Sequence, residues 1–236
     1  MTKLILLFLI CGTLFANDIK VAVSANVAYA IKPLIEEFNK TNNTKVKVIL
    51  GSSGKLTAQI KNGAPYDVFL SANIKYPDFL YKNNMTIKKP VVYTQGTLAL
   101  FSAKKRNLQD LSIINNMRKI AIANPKTAPY GKAAYESITN AKLLDKNIKK
   151  LVYAENISQA VQFVIAAADV GFIAKSSLYS PKMNKYKKGE NYIDVDKKLY
   201  KPINQAIALL NNKKSSLAFY EFILSSKAKK ILKEYG

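Results

Sequence analysis

Apolar positions along this chain fall into two alternating kinds of run. Short, strand-like stretches occupy Ile19 to Val23, Lys45 to Leu50, Asp67 to Leu70, Lys119 to Ala123, Leu151 to Ala154 and Val170 to Ala174. Between them, apolar residues recur three and four positions apart, as in Ala30, Ile31, Leu34, Ile35 and Phe38, in Leu56 and Ile60, and in Ile157, Val161, Val164 and Ile165. That spacing lays one face of a helix against a sheet. Helices are predicted over 27–40, with Pro33 bending the helix or beginning its regular part, and from Ser53 to the Gly63 stop. Others are predicted over 74–83, 130–140, from the Glu155-Asn156 cap onward, and over 216–224 and 227–235. Val91 to Tyr93 and Gly96 to Ser102 read as a strand pair or one interrupted strand, with Thr94 to Phe101 as a first crossing between lobes. Tyr192 to Val195 and Ile203 to Leu210 supply further strands, the latter a return crossing. Strand and helix alternate from one end to the other without internal repeat, which predicts an α/β fold with parallel sheets.

In such sheets ligands sit beyond the carboxyl ends of the strands. Four strand-to-helix turns stand out there, around Asn26, Ser53, Tyr130 and Ile157. Each carries small or neutral polar residues. A helix that begins this way presents unpaired N–H groups at its positive end, a ready site for an anion. Ser53 has a plainer alternative as an N-cap alone. Glycine-rich nucleotide loops and the hydrolase elbow are absent, since Gly51-Ser52-Ser53-Gly54 is one residue too short.

Composition narrows the chemistry. Among 236 residues there are 37 Lys and Arg against 15 Asp and Glu, a formal net charge of +22. The only arginines are Arg106 and Arg118, and the lysines are spread along the chain. That distribution reads as solvated surface that steers anions, not as a nucleic-acid face. No histidine is present and Cys11 is the sole cysteine, so zinc, haem and thiol chemistry and any His-dependent base are not expected. An enzyme would have to use Asp67 with Lys55 or Lys175, and no paired carboxylate or activated nucleophile converges on the turns. Residues 1–16 read as a secretory signal cleaved after Ala16. Ile10 is not the small residue a lipid-anchored Cys11 would need before it, so a soluble exported chain is expected.

With these residues in view, the chain resembles the periplasmic molybdate-binding proteins of ABC-type uptake systems, within the two-lobed periplasmic solute-binding proteins. The stretch that carries the resemblance is Ser52-Ser53-x-x-Leu56-x-x-Gln59-Ile60-x-x-Gly63-Ala64-Pro65-x-Asp67-Val68-Phe69-x-Ser71-Ala72. Asn124-Pro125 through Pro129-Tyr130-Gly131, Glu155-Asn156-Ile157 and Gly171-Phe172-Ile173-Ala174 support it, and it covers nearly all of the chain after residue 16. The resemblance implies a type II periplasmic-binding-protein architecture, each lobe a mixed, mainly parallel sheet flanked by helices, with a ligand cleft between them. Residues 17–95 plus 203–236 would form one lobe and 96–202 the other.

It further implies a monomeric periplasmic protein, not an enzyme and without a cofactor. Such a protein holds molybdate or tungstate by neutral hydrogen bonds, with no direct metal ligand, and hands it to an inner-membrane ABC permease. Carried over position by position, Ala25, Asn26, Ser53, Tyr130 and Ile157 would hold the oxyanion. Ala174 stands where some members place a tyrosine hydroxyl, and Tyr130 is expected to compensate, its ring covering the cleft mouth. Sulfate or phosphate remains an alternative ligand. Phosphate would need an acceptor for its proton, and the only carboxylate in the four turns is Glu155, read here as a cap.

Overall fold

The apolar runs become the strands of two five-stranded sheets. The computed structural model describes residues 18–235; the predicted export signal, its cleavage point and Cys11 lie outside the described residues. Four strands open the chain: β1 (Ile19–Ser24), β2 (Val46–Gly51), β3 (Val68–Ser71) and β4 (Val91–Gly96). Five more follow: β5 (Leu98–Phe101), β6 (Ile120–Ala123), β7 (Leu151–Ala154), β8 (Val170–Ala174) and β9 (Tyr192–Asp194). The last, β10 (Ile203–Leu209), returns to the first sheet. The sheet orders are β2-β1-β3-β10-β4 and β7-β6-β8-β5-β9.

Both sheets are mixed in the same way. Three neighbouring strands run parallel in each, β2-β1-β3 and β7-β6-β8, and the fourth, β10 or β5, runs against both of its neighbours. Of the two readings of residues 91–102, the strand pair does not form and the interrupted strand does. Only Thr97 separates β4 from β5, and these strands belong to different sheets. Gly96 makes the crossing possible, because a β-carbon there would meet the Tyr130 hydroxyl at 1.9 Å. The return strand carries a β-bulge. Gln205 faces Thr94 while Ala206 faces Val92, leaving Tyr93 of β4 as the extra residue.

Helices cover both faces of each sheet. On the first sheet, α1 (Ile31–Asn39) meets the two C-terminal helices through Phe38, which lies edge-on to Phe219 at 5.1 Å. Residues 25–27 form a 3₁₀ turn, so α1 is shorter than predicted and Pro33 falls in its first turn, where a missing N–H does no harm. Leu56 and Ile60 of α2 (Ser53–Lys61) and Leu80 of α3 (Lys75–Lys82) cover the other face, against Phe69 and Ala208. The second sheet is covered by α4 (Pro129–Asn140), with the short α5 (Leu144–Asn147) after it, and on its other face by Val161 and Val164 of α6 (Ile157–Ala166). The chain ends in α7 (Lys214–Leu224) and α8 (Ser226–Glu234).

Each lobe pins one turn with a carboxylate just before a central strand. Asp67, before β3, accepts from the Lys20 and Asn211 N–H groups and pairs with Lys213 at 2.9 Å. Burial alone would raise its pKa, but the Lys20 N–H, the Lys213 ammonium and Asn211 outweigh it and hold the carboxyl below its ordinary range. Asp169, before β8, does the same work with Arg106 and the backbone N–H groups of Arg118 and Lys119.

Candidate functional site

The carboxyl ends of β1, β2, β6 and β7 face one gap between the lobes. Ala25, Asn26, Ser53, Tyr130 and Ile157 all line a single cavity there, of about 10 Å³, the space of roughly one water. Every residue lining it is neutral.

Each side contributes helix N-termini. At α2, Ser52 is the capping position and Ser53 the first helical residue, and neither side chain caps the helix. Ser53 Oγ instead bonds Ser24 Oγ, and both accept from the Ala72 N–H at 3.0 and 3.1 Å. Since one hydroxyl must donate to the other, the pair keeps one O–H free. Ser52 Oγ is buried with no hydrogen-bond partner among the described residues and Ser52 also lines the cavity. Burying an unpaired hydroxyl costs about 1–3 kcal/mol, which leaves this group available to a ligand in the cavity. At α4, Ala128 offers no side-chain cap and Pro129 has no N–H, which leaves the Tyr130 N–H as the first one available. At α6, Asn156 Oδ1 caps the Gln159 N–H, and the Gln159 side chain accepts from the Glu155 N–H. The reciprocal bonds leave the Ile157 N–H free at the helix start.

A ring of contacts closes the gap. Gly54 N–H donates to Thr127 C=O at 2.9 Å, Ser158 Oγ to Ala25 C=O at 2.8 Å, and Ser176 Oγ to Asn26 C=O at 2.9 Å. Lys55 and Glu155 pair across the rim at 2.6 Å, both about half exposed. Gly54 sits so close to lobe 2 that a β-carbon would come within 2.9 Å of Thr127 C=O.

One expectation needs correction. The Tyr130 ring does not cover the cleft mouth; it is buried, and its hydroxyl reaches inward to Gln205 and the Gly96 backbone at the crossing strands. Burial, with Tyr200 nearby, drives its pKa up against the lowering effect of Asn26, so the phenol stays protonated and uncharged. Ala174 does not line the cavity; the turn after it reaches Asn26 through Ser176 instead. The residues proposed for an enzyme are engaged elsewhere: Lys55 with Glu155, Lys175 with Asp194 at 2.8 Å, and Asp67 in its own anchor. Ser24 and Ser52 were not singled out from the sequence, although the Ser52-Ser53 pair gave a signal for the second.

Two mixed α/β sheets joined by two crossing strands, with helix N-termini aimed into the gap between them, define a two-lobed solute-binding protein. A family model described as bacterial extracellular solute-binding protein matches residues 19–236, and the chain belongs to that family. It is 35% identical over 229 residues to the molybdate-binding protein ModA of Azotobacter vinelandii, covering 94% of this chain and 90% of the relative. Identity to ModA of Rhodobacter capsulatus is 32%, over 94% and 88% of the two chains. Among solved structures, the periplasmic molybdate-binding protein of Azotobacter vinelandii superposes with a TM-score of 0.84 at 31% identity, covering 92% of this chain and 97% of that one. The sulfate-binding protein SubI of Mycobacterium tuberculosis, at 14% identity and a TM-score of 0.74, shares the fold.

Proposed function

We infer that this chain is the periplasmic capture component of an ABC-type uptake system and that it binds molybdate, or tungstate, between its lobes. The observation that carries the reading is the convergence of neutral donors on one buried cavity. They are the Asn26 amide, the free hydroxyl of the Ser24–Ser53 pair, Ser52 Oγ, and the backbone N–H groups of Tyr130 and Ile157. Fixed N–H and O–H dipoles in a dry site hold a dianion without a counter-charge, and they need no reorganisation when it arrives. The similarity to molybdate-binding relatives over nearly the whole chain supports the choice of anion. A four-oxygen anion exceeds the present cavity, so entry requires the lobes to part along the Gly54, Ser158 and Ser176 contacts and to close again around it. The protein acts as a monomer that presents the closed, loaded form to its permease.

A thermal-shift panel with molybdate, tungstate, sulfate and phosphate tests this. A ligand at a thousandfold excess over its Kd adds about 4 kcal/mol, roughly a 10 °C rise in a chain of this size. Molybdate and tungstate should give it and the other two much less; an equal response to sulfate would reassign the site.

A further inference from the structure

Behind the cavity, four buried side chains meet where the crossing strands run. Gln205 of β10 accepts at Oε1 from Asn26 Nδ2 at 2.7 Å and from the Tyr93 hydroxyl at 3.0 Å. Its Nε2 donates to the Tyr130 hydroxyl at 3.3 Å. Asn26, Tyr93, Tyr130 and Gln205 are all more than nine-tenths buried. Two backbone features make the meeting possible. The bulge that leaves Tyr93 unpaired lets its phenol reach Gln205, and Gly96 clears the space that the Tyr130 hydroxyl fills. Tyr130 belongs to the second lobe and the other three to the first, so this cluster spans both.

A carboxamide has a donor end and an acceptor end. Which end faces a dianion decides whether the group attracts or repels it. Asn26 gives one Nδ2 hydrogen to Gln205, which leaves the other for the cavity. Its Oδ1 is buried and unpartnered, while the Tyr130 hydroxyl, already receiving Gln205 Nε2, keeps its own proton to offer. Flipping the Asn26 amide would set Oδ1 against Gln205 Oε1, acceptor to acceptor, and would turn an oxygen lone pair on the anion. Among the described residues, the Gln205 Oε1 contact at 2.7 Å is the hydrogen bond that orients the Asn26 amide, with the Tyr130 hydroxyl close beside it.

We propose that Gln205 is a positioning residue of the anion site, holding the Asn26 amide donor-first toward the anion. The proposal rests on the reading of Asn26 as an anion donor. It assigns Gln205 no contact with the anion, so all of its effect on affinity passes through Asn26. A residue that merely stiffened the hinge would instead weaken binding whether or not Asn26 were present.

A double-mutant cycle separates the two, since only coupled residues depart from additivity. Molybdate affinity is measured by calorimetry on the whole exported chain, stripped of ligand, for wild type, Asn26→Ala, Gln205→Met and the double variant. Each single change should weaken binding about tenfold, and the double variant should bind within about twofold of Asn26→Ala. Wild-type affinity in Gln205→Met, or losses that multiply to about a hundredfold in the double variant, would overturn the proposal and leave the site reading intact. Wild-type affinity in Asn26→Ala would remove Asn26 from the site and the role of Gln205 with it. If Gln205→Met gives no cooperative melt, Gln205→Asn replaces it with the same expectations, because it keeps an amide on β10 but draws it one methylene short of Asn26.

Discussion

The cavity at the strand ends and the groove beside it share Ala128 and Pro129 but are built on opposite principles. The groove is far larger, about 180 Å³, and open to Lys75, Lys126, Lys132 and Lys201 from both lobes and the return crossing. Among the described residues, only Lys132 of these lysines pairs its ammonium with a carboxylate, Glu136 at 3.8 Å, which also accepts from the Lys201 N–H at 3.1 Å. The cavity has no charge at all. A chain with a net charge of +22 invites the conclusion that its lysines hold the anion. Lysines in water are strongly hydrated and would attract any anion weakly, whereas buried dipoles set at fixed angles select one shape. On the proposed reading, size and charge mark the approach, and the small neutral space marks the destination.

The comparison breaks most readily at closure. Gly54→Val pushes a side chain into Thr127 of the other lobe and should weaken molybdate binding about a hundredfold, the result of roughly 3 kcal/mol of overpacking. The melting temperature of the ligand-free protein should hardly move, because each lobe keeps its core; calorimetry and a melt on the same preparation check both. Unchanged affinity would mean that the cavity need not close at this contact.

Next in size are the two serines. Ser52→Ala removes a donor without a partner among the described residues, so affinity should fall by about 1.5–3 kcal/mol at constant stability. Ser53→Ala also strips a partner from Ser24 and Ala72, so it should lose affinity and about 1 kcal/mol of stability together. If Ser52→Ala lowered only stability, its hydroxyl would lie outside the site.

A smaller effect belongs to the groove. Replacing Lys75, Lys126 and Lys201 together by Gln should slow association several-fold at low salt and leave dissociation alone. The difference should vanish near about 0.5 M salt, as expected of steering. A faster dissociation rate in stopped flow would place these lysines on the bound anion.

The smallest expected effect is that of pH on affinity, which should stay flat between about pH 6 and 9 because no group lining the cavity titrates there. Stability behaves differently. Asp67 has a pKa below its ordinary value in the fold, so its contribution is complete above the ordinary carboxylate range and is lost as pH falls through the folded value. Asp67→Asn should melt lower at neutral pH and show a shallower decline in acid. A steep pH dependence of binding near neutrality would put a titrating group in the site.

Much of this was legible in the sequence because it is local. The helical spacing of Leu34 and Phe38, the Gly63 stop and the turns at Ser53, Tyr130 and Ile157 are written within a few residues of one another. What escaped depends on contacts between distant segments. Ser24 and Ser53 bond across 29 positions, Asn26 and Gln205 across 179, and no periodicity carries such a pairing. The direction of the Tyr130 ring was misjudged for the same reason: its destination is set by the absent side chain of Gly96 and by the bulge at Tyr93, both on other strands. The antiparallel course of β10 and β5 is likewise invisible, since a buried apolar strand reads alike in either direction.

The position of β10 also sets a timetable. It lies between β3 and β4, pairing Val68 with Leu209 across the entire second lobe. A chain made from its N-terminus therefore completes the continuous second sheet, Leu98 to Asp194, while the first still lacks an inner strand. Until that strand arrives, β3 keeps an unpaired edge and β4 has no neighbour. Contacts so far apart in sequence form slowly. The first lobe to begin synthesis is thus the last whose sheet can be completed.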